Sequence, residues 1–196
     1  LEDRVRSIVG ESIRLKTTFL KGPLTGVVGA IEAICVALAG RKKLLIFGNG
    51  GSAADAQHVA AEFVNRYGRW RQALPAIALT TDSSVLTSIA NDAAFEEIFS
   101  RQIEALGSPG DVAWGITTSG QSPNVVRGLK AARAVGLVTV AMTGKTGGEI
   151  GTLVDHWIHV DHGFSPRIQE LQITLAHVIC ELVEERLFPP CDETTR

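Results

Sequence analysis

The chain has 196 residues, 45% of them apolar and 20% charged, with a formal net charge of −2. That length buries a real core in one domain, and the composition is that of an ordinary soluble globule rather than a disordered chain. No basic run suggests nucleic acid as the main partner, no apolar stretch nears the ~20 residues of a membrane span, and the first residues do not read as a signal peptide.

Cys35, Cys180 and Cys191 are odd in number, widely spaced and without a CxxC pair. No disulfide framework is implied, and a reducing cytoplasm is the simplest compartment.

Two helical stretches come first. Val5, Ile8, Ile13, Leu15, Phe19 and Leu20 are loosely periodic; beyond Lys21-Gly22-Pro23, the residues Val27, Val28, Ile31, Ile34, Cys35 and Leu38 repeat at helical spacing. Gly40 is placed to end the second helix.

From there the pattern alternates. Short apolar runs at 44–47, 76–79, 112–117, 138–142 and 156–160 read as buried parallel strands. Helical stretches at 52–67, 83–106, 122–135 and 166–188 follow most of them. Strand–helix alternation predicts an α/β fold, a three-layer sandwich in which helices cover both faces of a five-stranded parallel sheet. Residues 1–188 form one expected domain, including the N-terminal helical pair, with 189–196 a loose tail. Trp70, Trp114 and Trp157 fall at no repeated spacing and read as structural; Cys180 reads as packing.

Ligands of such sheets bind at the carboxyl ends of the strands. After the first strand, Gly48, Gly50 and Gly51 let the backbone turn, and Ser52 is placed to N-cap the next helix. Amides at a helix start suit an anion. Residues 48–53 also fit a dinucleotide fingerprint, but the acidic residue this requires, Asp82, comes too late. After the third strand, Thr117-Thr118-Ser119-Gly120-Gln121-Ser122-Pro123 offers four hydroxyls, with Ser122 as N-cap and Pro123 at the first helical position. Two such loops favour a phosphomonoester between them. The later TGKTGG resembles the end of a Walker A loop but lacks the earlier glycine, because Thr139 stands there.

His58 and Glu62 stand four apart on one helix face, where an imidazole and a carboxylate can share one metal or one substrate. On the last helix, Gln169, Gln172 and His177 interrupt or border a broad apolar stripe from Ile168 to Val183.

Together, GNGGSAADAQHVAAEFVNRY, ALTTDSSVLTSIAND, TTSGQSPNVV, TGKTGGE and PRIQELQITLAHVICELVE resemble the sedoheptulose-7-phosphate isomerases, or phosphoheptose isomerases, of the sugar-isomerase (SIS) superfamily. The resemblance runs to about Phe188. It implies a flavodoxin-like SIS fold, N-terminal helices used in a homotetramer, and one zinc per subunit. It implies a reaction between sedoheptulose 7-phosphate and D-glycero-D-manno-heptose 7-phosphate, the first step toward bacterial ADP- or GDP-heptose and lipopolysaccharide. His58, Glu62, Gln169 and His177 match the family's metal positions. Asn49, Gly50, Gly51, Ser52, Glu62, Asn91, Asp92, Thr117, Thr118, Ser119, Ser122 and Gln169 match its substrate positions. Glu62 would be the base and His177 its acid partner.

Two other readings compete. A non-enzymatic SIS regulator, resembling the protein that associates with the DnaA initiator, gives Glu62 and His177 no task. A dinucleotide-dependent oxidoreductase accounts for the first loop alone. Gln169 and His177 are eight positions apart, ~12 Å of helical rise. One zinc reaching both therefore predicts a site shared across a subunit interface, or a helix broken at its start.

Overall fold

The computed structural model describes residues 1–189, so the tail beyond Pro189, with Cys191, lies outside the described residues. Fourteen elements follow one another: α1 Glu2–Phe19, α2 Thr25–Ala39, β1 Leu44–Gly48, α3 Gly51–Val64, β2 Ala76–Ala78, α4 Ser83–Asp92, a 3-10 turn Phe95–Glu97, α5 Ser100–Leu106, β3 Val112–Thr117, α6 Pro123–Val135, β4 Val138–Gly144, α7 Ile150–Leu153, β5 His156–Val160 and α8 Ser165–Leu187.

The strands form one parallel sheet in the order β2-β1-β3-β4-β5. Successive side chains of a strand point to opposite faces, so β1 feeds two cores. Leu44 and Ile46 join Trp114, Ile116, Val140 and Met142 beneath α2, α3 and α8. Leu45 and Phe47 join Ala113 and Ala141 beneath α5 and α6. The five strands and two helical layers are those the apolar pattern predicts. In this order the chain switches direction between β1 and β3, and the crevice outside their carboxyl ends is the expected ligand position. No helix among the described residues is long and apolar enough to cross a membrane.

Several local expectations are corrected. The 83–106 stretch breaks after Asp92, and Ala94 is extended. No glycine or proline marks that break; it turns Ile98, Phe99 and Ile103 into the second core, whereas α4 only lays Leu86, Ile89 and Ala90, partly buried, against its edge. α2 ends at Gly40 without a left-handed glycine; Arg41 takes the positive φ of 58° instead. Gly50, at φ 55°, is the N-cap of α3, and Ser52 is buried within the first turn. α8 starts one residue earlier than the 166–188 stretch, with Phe164 as its N-cap, and Ser165 accepts a hydrogen bond from the Thr118 hydroxyl at 3.2 Å. Trp114 is a core residue, but Trp70 is 81% exposed with the Arg66 guanidinium over its ring.

Candidate active site

The two glycine- and hydroxyl-bearing loops leave neighbouring strands, since Gly48 of β1 pairs with Ile116 of β3. They are bolted together by a reciprocal amide pair. Asn49 donates to Asn124 Oδ1 at 2.8 Å, and Asn124 donates back to Asn49 Oδ1 at 2.9 Å. Asn124 is 2% exposed on the first turn of α6, and its only signal in the sequence is a polar side chain directly after Pro123, beside the apolar Val125 and Val126.

Within the first loop the amides of Ser52 and Ala53 bond back to the carbonyls of Asn49 and Gly50, and no acceptor meets those of Gly50 and Gly51 among the described residues. In the second, Thr117 is buried and its hydroxyl lies 3.2 Å from that of Ser119 and 3.0 Å from that of Ser122. Ser122 is the N-cap of α6 yet makes no side-chain cap bond, so the first amides of α6 remain uncapped. Free amides and hydroxyls at two adjacent helix starts suit a phosphate without any cationic side chain.

The TGKTGG loop packs against the Gly120 turn of this cradle. A Cβ on Gly120, at φ 69°, would stand 2.3 Å from the Gly147 carbonyl carbon, and one on Gly148 only 2.2 Å from Gly120 O. Only glycines allow the two loops to touch this closely.

Farther along α3, the cluster forms. His58 Nε2 lies 3.0 Å from Glu62 Oε1, and His177 Nε2 of α8 lies 3.3 Å from His58 Nε2. One ligand atom from each of the three falls within 4.8 Å of the others. Tetrahedral zinc bonds of ~2.0–2.1 Å set neighbouring ligand atoms ~3.3–3.4 Å apart, so the His–Glu–His donor set fits such an ion. Asp55, one turn before His58, has a buried, unpartnered Oδ2; burial pushes its carboxyl above the usual range while His58 and His177 pull the other way.

Gln169 is not part of this cluster within the chain. Its amide rests against Gly51, where a Cβ would come 2.5 Å from Nε2, about two turns of α3 before His58. α8 runs unbroken from Ser165, which removes the broken-helix route by which one ion could take both Gln169 and His177 from this chain. Asn91 and Asp92 end α4 in the open, hydrogen-bonded to each other at 2.7 Å. Asp82 caps α4 by accepting from the Val85 amide at 3.0 Å, which leaves the dinucleotide reading without its acidic residue.

Residues 11–144 match the SIS domain family. Over 183 residues the chain is 52% identical to the phosphoheptose isomerase of Aquifex aeolicus, covering 93% of this chain and 96% of that one. The chain belongs to the phosphoheptose isomerase family. A second phosphoheptose isomerase, from Synechocystis, is 54% identical over 82% of this chain and 84% of its own. The solved structure of phosphoheptose isomerase GmhA from Neisseria gonorrhoeae superposes with a TM-score of 0.89 at 42% identity, covering 94% of this chain and 99% of that one. By this membership the chain is a sugar-phosphate isomerase.

Proposed function

We propose that the chain interconverts sedoheptulose 7-phosphate and D-glycero-D-manno-heptose 7-phosphate through an enediol, in the first step toward a bacterial nucleotide-activated heptose. One observation carries this reading. The His58–Glu62–His177 cluster sits along the same helix that starts at the phosphate cradle. From Gly51 to His58, α3 rises ~10 Å. That matches the reach of an extended seven-carbon sugar whose phosphate and carbonyl lie at opposite ends.

The loops at 48–52 and 117–122, with Gln169 over Gly51, would hold the phosphate end of the sugar. Glu62 takes the proton from C1 of the ketose, the C1–C2 double bond of the enediol forms, and the Glu62 carboxyl, whose proton exchanges with solvent, delivers a proton to C2 to give the aldose. His177 supplies a proton to O2 and accepts one from O1, so that charge does not accumulate on either oxygen. Glu62 Oε1 faces His58 and leaves Oε2 for the carbon-bound proton. His58, Glu62 and His177 would hold one zinc ion, which when bound would act as a Lewis acid toward the sugar oxygens. Asn91 and Asp92 are assigned to the substrate by family position alone.

The homotetramer is part of the same proposal. α1 buries none of its residues within the chain, and Val5, Val9 and Ile13 are each more than half exposed. An 18-residue helix left this bare gains its stability from packing on further copies. A cytoplasmic location, one domain over residues 1–188 and sites close to subunit boundaries complete the reading.

Purified protein incubated with sedoheptulose 7-phosphate, with and without a chelator, tests it. Aldose formation that the chelator abolishes and zinc restores is the expected result. Absence of any aldose would overturn the proposal, and activity indifferent to chelation would remove the metal from it.

A further inference from the structure

Arg71 stands in the strap between α3 and β2, outside every motif read from the sequence. Its side chain is 2% exposed, and a buried guanidinium is tolerated only when paired and hydrogen-bonded. Nε donates to Glu184 Oε2 at 2.9 Å, Nη2 to the carbonyl of Glu62 at 2.8 Å, and Nη1 to the carbonyls of Phe63 and Gln72 at 2.8 and 3.0 Å. The contacts to Glu62 and Phe63 fall on carbonyls of the last turn of α3, which lack intrahelical partners, and place a positive charge at the negative end of that helix.

Glu184 completes the clamp from α8. Oε1 accepts from the amides of Gly68 and Arg69 at 2.8 Å each, and Oε2 from that of Tyr67 at 3.0 Å. Burial works to raise the carboxyl, but these three amides and Arg71 hold it below the usual carboxylate range. Tyr67 also sets its ring 5.8 Å from that of His177. The clamp thus grips α3 at the Glu62 carbonyl and α8 two turns beyond His177, the two helices between which the cluster is divided.

We propose that Arg71 and Glu184 are positioning residues of the isomerase centre. They fix the register of α3 against α8 so that His58, Glu62 and His177 face one another. A slip of one helix along the other would separate the two imidazoles without unfolding either core. The inference rests on the metal-assisted isomerase reading above, and its test is arranged to fail separately from that reading.

Arg71→Lys keeps the charge but loses the planar fork that serves a carboxylate and two carbonyls at once. Glu184→Gln keeps the shape and loses the charge, and decides the matter if Arg71→Lys does not fold. Asp111→Asn serves as control, because it breaks a partly buried ion pair, with Lys43, that touches no part of the cluster. Three quantities are measured: the affinity of the metal-free chain for zinc alone, kcat and KM for sedoheptulose 7-phosphate, and Tm. Both clamp variants are expected to weaken zinc binding about ten- to a hundredfold and to lower kcat to a similar degree, with KM little changed. Asp111→Asn is expected to lower Tm while zinc affinity and kcat stay near wild type. Folded clamp variants that match wild type in zinc affinity and kcat would overturn the proposal, as would equal losses in Asp111→Asn. If wild type isomerises without taking up zinc, the metal reading fails and the kcat comparison still decides. If it takes up zinc without isomerising, the function fails and the zinc comparison decides.

Discussion

His177 Nε2 lies 3.3 Å from His58 Nε2 although 119 positions separate the two residues in the chain. Both nitrogens lie within 4.8 Å of a Glu62 carboxylate oxygen, so a single chain brings together the proposed base, its proposed acid partner and the candidate metal donors. Mixing a Glu62→Gln protein with a His177→Ala protein is therefore expected to restore no activity, because neither chain keeps an intact cluster. Glu62→Gln alone should retain the fold and sugar binding but exchange solvent deuterium into substrate ~10²–10⁴-fold more slowly, the usual contribution of a positioned base. Exchange at the wild-type rate would place the base elsewhere.

The cradle makes a graded set of expectations. Ser119→Ala removes one hydroxyl offered to a charged phosphate, which corresponds to about 1.5 kcal/mol or roughly tenfold in KM. Gly50→Ala meets no atom but must hold φ at 55°, so a loss of ~1 kcal/mol in stability is expected. Gly120→Ala adds a collision with the Gly147 backbone to a φ of 69°, and should damage both Tm and KM more than Gly50→Ala does. Thermal melts and steady-state kinetics on the three variants check the order. A Gly120→Ala protein no worse than Gly50→Ala would count against the close packing of the TGKTGG loop on the Gly120 turn.

Two buried carboxylates, Asp111 and Glu184, and a third at the surface, Asp155, set an acid limit. Burial tends to raise each of them, but hydrogen bonds win: Lys43 and Ser108 on Asp111, Thr139 on Asp155, and the 67–69 amides with Arg71 on Glu184. All three are held below their ordinary values. In the unfolded chain they take up protons near pH ~4, so their stabilisation is complete above that range and fades as pH falls through the lower folded values. Tm should stay level at pH above ~5 and drop steadily below it. In Asp111→Asn it should start lower and fall less steeply. A slope unchanged by that substitution would remove Asp111 from the account.

Cys180 should be chemically silent. Burial, aided by the negative charge of Glu62, pushes its thiol up to about 12 against the opposing pull of Arg71. At pH 8 only ~10⁻⁴ of it would be thiolate, the reactive form. A thiol reagent followed by peptide mapping should find Cys180 unlabelled in the folded protein and labelled once denaturant unfolds it. Rapid labelling under native conditions would contradict its place in the core.

Fold and chemistry were not equally legible in the residues. Alternating apolar runs and turns determined the sheet and its two helical layers, since each strand must bury both faces and each helix one. The glycine turn at 48–51, the hydroxyl loop at 117–122 and the His58–Glu62 spacing are local patterns, and local patterns can be read directly. The break after Asp92 could not be, because no residue there forbids a helix; burial of Ile98, Phe99 and Ile103 decides it. Nor could the early end of α3, where the carboxylate of Glu184, 117 positions after Tyr67, captures amides that a longer helix would have used. Sequence placed Gln169 and His177 on one helix, and family position assigned both to the metal with His58, but within one chain only His177 meets it. Packing α8 beside α3 sets Gln169 over the cradle at Gly51 and His177 over the cluster, because two helices in register meet residue by residue and one ion spans only a single turn.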